Sequence, residues 1–179
     1  MTTLINILTL SRIILAAIIF VLLISPDGYM LALVLFFLAG ITDYFDGYLA
    51  RKYNAVSQLG EILDPIADKI LILFVLFGLA VNLSSYLIGF IGAVIITREI
   101  WVGAIRDLNS RRGRIDATKV TFLAKIKTSV QLFTLTIYLF GLAINNMLII
   151  IVADIMLFIS LIITLYTGLI YTLNTFKSK

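Results

Sequence analysis

Six apolar stretches, each long enough to cross a bilayer, follow one another along this chain with only short breaks between them. A membrane helix rises about 1.5 Å per residue and needs about 20 mostly apolar residues to span the hydrocarbon. The expected spans are residues 7–24, 29–50, 59–81, 86–105, 120–144 and 148–172, which leave little of the 179 residues for anything else. Composition agrees: 61% of residues are apolar and 13% charged, against roughly 45–50% and about 25% in soluble domains. The sequence therefore predicts an all-α integral membrane protein of six transmembrane helices, built as a single domain over residues 1–179. The first stretch has the length of a secretory leader. No cationic segment precedes Arg12, however, and apolar segments continue to Tyr171, so it is expected to be a retained first span.

The breaks alternate in character. Ser25-Pro26-Asp27-Gly28, Asn82-Leu83-Ser84-Ser85 and Asn145-Asn146 are turn-like and carry no Lys or Arg. The other two are charged. Arg51 and Lys52 follow the second span, Arg106, Arg111, Arg112, Arg114, Lys119, Lys125 and Lys127 lie in or beside the fourth-to-fifth connection, and Lys177 and Lys179 end the sequence. The positive-inside rule then places both termini and both charged loops in the cytoplasm. The net charge of +4 gathers on that face, where it attracts anionic lipid heads. Nucleic acid is not an expected partner, because the basic loop is short and has no aromatic residues interleaved for stacking.

With no cysteine and no histidine, the chain has no disulfide, no thiolate or imidazole metal ligand, and no nucleophile or triad built on those residues. Its chemistry must rest on carboxylates, cations and hydroxyls. The second span holds Asp43-Tyr44-Phe45-Asp46-Gly47-Tyr48-Leu49-Ala50-Arg51, in which residues 43, 46, 47, 50 and 51 share one helical face. In the third span Gly60, Asp64 and Asp68 recur every four residues, with Pro65 adding a local irregularity. Both acid pairs fall near the cytoplasmic ends of their spans, so they meet at one depth.

An aspartate at the centre of a membrane helix costs roughly 2.5–3.5 kcal/mol on insertion scales, and four unpaired ones about 10 kcal/mol. Pairing with Arg51, Lys69 or Arg98 would offset part of that cost, yet four acids against so few cations leave an excess of negative charge. Clustered carboxylate oxygens without His or Cys suit hard divalent cations such as Mg2+, Mn2+ or Ca2+. A two-ion site of Mg2+ or Mn2+ can clamp a diphosphate and steady its leaving group. Small residues at 47, 50 and 60 serve either close helix packing or the approach of an anionic group to the backbone.

Asp43-x2-Asp46-Gly47-x2-Ala50-Arg51-x8-Gly60-x3-Asp64-x3-Asp68 resembles, position for position, the signature of the CDP-alcohol phosphotransferase family. The resemblance implies a six-span membrane enzyme that displaces CMP from a CDP-linked alcohol with a second alcohol. It implies that Asp43, Asp46, Asp64 and Asp68 hold the metals, that Asp68 is also the general base, and that Gly47, Ala50, Arg51 and Gly60 line the cytidine diphosphate site. A homodimer in the cell (inner) membrane, with its site at the cytoplasmic face, is implied as well.

The stretches Leu63-Asp64-Pro65-Ile66-Ala67-Asp68-Lys69, Thr97-Arg98-Glu99-Ile100 and Lys125-Ile126-Lys127-Thr128 are similar to the family's phosphatidylglycerol phosphate branch, which joins CDP-diacylglycerol to sn-glycerol 3-phosphate. Arg98, Arg106, Lys125 and Lys127 are then expected to converge on the acceptor's phosphate. Arg98 sits well inside its span, where a bound phosphate or Glu99 explains it better than snorkelling. A cardiolipin synthase, with a lipid acceptor entering sideways between helices, shares the Asp-Pro-x-Ala-Asp-Lys pattern, and inositol phosphate or serine are further acceptors within the family. A divalent-cation transporter built on the same acids would need polar residues right across the membrane, whereas residues 30–38 and 70–79 are almost purely apolar.

Overall fold

The computed structural model describes residues 2–52, 58–113 and 122–177. Within them the chain forms six long helices: α1 (Thr2–Ile24), α2 (Tyr29–Lys52), α3 (Gln58–Asn82), α4 (Tyr86–Arg111), α5 (Phe122–Ala143) and α6 (Met147–Lys177). The turns between α1 and α2, α3 and α4, and α5 and α6 fall at the turn-like sequence breaks. A 3-10 turn at Pro26–Gly28 joins α1 to α2. A Cβ on Gly28 would lie 2.3 Å from the Leu22 carbonyl oxygen, so only glycine fits there. Ser84 and Asn145 adopt left-handed backbone, with φ of 49° and 52°, to reverse the chain at the other two turns. Side chains then cap the helices that follow: Ser85 Oγ accepts from the Ile88 amide and Asn146 Oδ1 from the Leu148 amide.

The helices pack as a closed ring in the order α1, α2, α5, α6, α4, α3, with α3 also touching α5 across the middle. Ile19, Leu23, Val75, Leu79, Ile91 and Leu139 are among the buried side chains that fill its centre. The outer surface is also apolar: Ile14, Val21, Phe90, Ile155, Ile162 and Leu169 are all more than 40% exposed, as expected of helices bathed in lipid.

Asn6–Ile24, Tyr86–Arg111, Ile126–Ala143 and Met147–Phe176 are long and apolar enough to cross a membrane. Among the described residues α2 adds the apolar stretch Tyr29–Asp43, and α3 carries Asp64, Asp68 and Lys69 in its first half. Several helices also run beyond their expected ends. Expected to stop at 105, α4 continues to Arg111, stabilised by an Arg111–Asp107 ion pair of 2.9 Å one turn apart and by Asn109 Nδ2 donating to Thr175 Oγ1 of α6 at 2.8 Å. Arg114, Lys119 and Lys179, used in the orientation argument, lie outside the described residues.

Candidate active site

The intimate packing of α1 against α3 brings residues 9 and 12 of one helix opposite residues 64 and 68 of the other. Thr9 Oγ1 donates to Asp64 Oδ1 at 2.8 Å. Arg12, fully buried, places its Nη1 2.6 Å from Asp68 Oδ1 and 2.8 Å from Asp43 Oδ1 of α2. One guanidinium nitrogen thus gathers carboxylates from two helices onto a third. Asp43 and Asp68 remain 51% and 47% exposed, so each presents its other edge to open space. Pro65 lies within α3 without ending it, and the helix runs unbroken to Asn82.

The charge that holds the acids is therefore Arg12, and among the described residues neither Lys69 nor Arg98 pairs with Asp43, Asp64 or Asp68. Sequence reasoning passed over Arg12 and Thr9 as partners, although a lone arginine within an apolar span already signals a buried acid elsewhere. Asp46, Ala50 and Arg51 are expected site residues whose side chains lie outside the described residues. Gly47 is half-buried and Gly60 buried.

Among the described residues no three Asp or Glu side chains stand close enough to hold a metal ion by themselves. The donor chemistry nevertheless fits a hard divalent cation. Asp43, Asp64 and Asp68 offer only oxygen, two of them share one nitrogen contact, and both of those have an open edge. Asp46, the fourth acid expected of the set, lies one turn beyond Asp43 on α2.

Asp68 also borders a second feature, a cavity of about 240 Å3 between α3, α4, α5 and α6. Lys69, Arg98, Glu99, Arg106 and Lys127 line it beside Asp68. Three of the four cations expected around a phosphate are brought together there, and the fourth, Lys125, has its side chain outside the described residues. Their states differ. Arg98 is nearly buried, with Nη1 2.8 Å from Glu99 Oε1 and Nη2 donating to Thr167 Oγ1 of α6 at 2.7 Å. Gly168 makes room for it: a Cβ there would sit 3.0 Å from Arg98 Nε. Lys127 is ion-paired to the same Glu99 oxygen. Arg106 is exposed to the cavity mouth, and Lys69, which sequence reasoning considered only as a partner for the acids, is a further cation of the lining.

The profile of the family described as CDP-alcohol phosphatidyltransferase matches residues 2–166. A relative from Rickettsia bellii (strain RML369-C), named CDP-diacylglycerol--glycerol-3-phosphate 3-phosphatidyltransferase, is 39% identical over 148 residues, which cover 82% of this chain and 80% of the relative. Relatives of the same name from Salmonella choleraesuis (strain SC-B67) and Shigella flexneri serotype 5b (strain 8401) are 33% and 31% identical. Their matches cover 73% and 93% of this chain, and 72% and 91% of their own lengths. The acids of α2 and α3, the arginine that gathers them and the cavity lining apart from Tyr171 fall inside the matched region, and the chain belongs to the CDP-alcohol phosphatidyltransferase family.

Proposed function

We propose that this protein transfers the phosphatidyl group of CDP-diacylglycerol to sn-glycerol 3-phosphate, giving phosphatidylglycerol phosphate and CMP. One observation carries the reading: Asp68 belongs at once to the acid cluster and to the wall of the cationic cavity. A group that must touch both the reacting phosphorus and the incoming alcohol belongs at such a border. The names of the relatives support the two substrates.

In this reading the lipid tails of the donor stay in the bilayer, and its cytidine diphosphate lies along Gly47, Ala50, Arg51 and Gly60. Members of the family generally use divalent metal ions, and Asp43, Asp46, Asp64 and Asp68 would hold two of them, Mg2+ or Mn2+. Bound there, such ions would neutralise the diphosphate and stabilise the departing CMP. Arg12 fixes Asp68 through Oδ1, and among the described residues no hydrogen bond occupies Oδ2. The acceptor's primary hydroxyl oxygen forms the new bond to the phosphorus on the diacylglycerol side. The bond from that phosphorus to CMP breaks, CMP leaves with the electron pair, and the hydroxyl proton passes to Asp68 Oδ2.

The positive charge of the cavity draws the acceptor's phosphate to it, with Arg98, Arg106, Lys125 and Lys127 as the expected set. Six helices cross the cell membrane with both termini in the cytoplasm, the site opens to that side, and the working assembly is a homodimer. Asp68→Asn tests the assigned base. Turnover at saturating metal is expected to fall by about 100-fold or more, the range of a lost general base. Near-normal turnover in the folded variant would remove Asp68 from that role.

A further inference from the structure

Across the cavity, α4 and α5 face each other without packing together. Glu99 on α4 and Lys127 on α5 are ion-paired over that gap. The same carboxylate oxygen, Oε1, also accepts from Arg98 Nη1 at 2.8 Å, while Arg98 Nη2 reaches Thr167 on α6 at 2.7 Å. One acid therefore fixes two cations and ties three helices. All three charged side chains are less than one-fifth exposed, which makes their arrangement a fixed part of the wall.

The remaining cations of the lining are placed differently. Lys69 and Arg106 have no ion pair among the described residues. Glu99, Gly103 and Arg106 fall at i, i+4 and i+7 on one face of α4. The Lys69 ammonium reaches across from α3 to lie over Gly103, where a Cβ would stand 3.7 Å from Nζ. It therefore sits on the stripe between Glu99 and Arg106. A phosphate monoester carries about two negative charges near neutral pH, which matches these two uncompensated cations.

We propose, on the reading of this cavity as the acceptor site, that Glu99 is a positioning residue that clamps Arg98 and Lys127 into the wall and leaves Lys69 and Arg106 to grip the acceptor's phosphate. The acceptor class this selects is a small alcohol bearing a phosphate monoester. An uncharged alcohol leaves both cations unpaired. Without the clamp, Arg98 and Lys127 repel each other and compete for the anion at the wall, drawing it away from Asp68.

The test is initial-rate CMP release by the purified full chain with CDP-diacylglycerol and varied sn-glycerol 3-phosphate, for the unmodified protein, Glu99→Gln, Glu99→Asp and Lys69→Gln. Glu99→Gln and Lys69→Gln are each expected to raise KM for glycerol 3-phosphate about tenfold, the scale of one lost hydrogen bond to a charged group. KM for CDP-diacylglycerol and kcat should stay within about twofold, the pattern of lost acceptor binding, and Glu99→Asp should recover most of the loss. An unchanged KM for glycerol 3-phosphate in Glu99→Gln overturns the proposal, as does a joint loss of kcat and both KM values that Glu99→Asp does not repair. If Glu99→Gln does not fold, an unchanged KM in Lys69→Gln overturns it equally. Failure of the reading beneath it looks different: the unmodified protein would release CMP with an unphosphorylated acceptor and none with glycerol 3-phosphate.

Discussion

Arg12 is fully buried, and its Nη1 contacts two carboxylates from helices other than its own. Removing the guanidinium leaves two half-exposed carboxylates side by side with no cation between them. Arg12→Met is therefore expected to lower the unfolding temperature in detergent markedly and to abolish activity, because Asp43 and Asp68 lose the group that brings them together. Arg12→Lys keeps the charge on a shorter, single-headed side chain, and should recover stability better than activity. Full activity in folded Arg12→Met would show that the acids are held by something else. That Asp43, Asp64 and Asp68 come together was legible in the sequence because an acid in a membrane helix is too costly to be incidental. The partner of Asp43 and Asp68 was not, since Arg12 and Asp68 lie 56 positions apart and nothing in local spacing joins them. Arg98 shows the converse: its neighbour Glu99 was a legible alternative to a bound phosphate, and the structure has that ion pair.

At the scale of the helices, the turn residues placed the breaks, and the six expected segments match the six described helices in order and nearly in extent. Hydropathy set the ends less well. The extensions of α4 and α6 are polar, and the long-range bond between Asn109 and Thr175 that holds them together is invisible to a local pattern. The opposite end of the bundle is tied in a similar way. Asn82, the last residue of α3, donates through Nδ2 to the Leu23 carbonyl at 2.8 Å and to the Tyr29 hydroxyl at 2.7 Å, binding α3 to the turn between α1 and α2. Asn82→Leu removes both bonds and strands a carbonyl, at a cost of about 1–3 kcal/mol. A lower unfolding temperature with unchanged KM values is expected, since the acids occupy the other half of α3. A change in KM for glycerol 3-phosphate without loss of stability would contradict the assignment of this contact to structure alone.

The whole molecule is a ring of helices with apolar residues both inside and outside, and its charged groups gather where α2 ends and α3 begins. That asymmetry carries the proposed orientation, and the sequence offers a clean way to test it. With no native cysteine, single cysteines report without background. Ser25→Cys, in the turn after α1, is expected to react with an impermeant maleimide from outside intact cells, and Ser110→Cys, near the end of α4, only after permeabilisation. The reverse pattern would invert the topology and move the acid cluster to the other face. What the sequence could not provide at this scale is the order of the ring, because helices adjacent in the chain, α4 and α5 among them, need not pack together.

The central claim is one of chemistry, and CMP release tests it most directly. Purified protein in liposomes, given CDP-diacylglycerol and Mg2+, is expected to release CMP with sn-glycerol 3-phosphate. It should do so poorly or not at all with phosphatidylglycerol or serine, and EDTA should stop the reaction. Metal-independent release, or a preference for phosphatidylglycerol, would contradict the account.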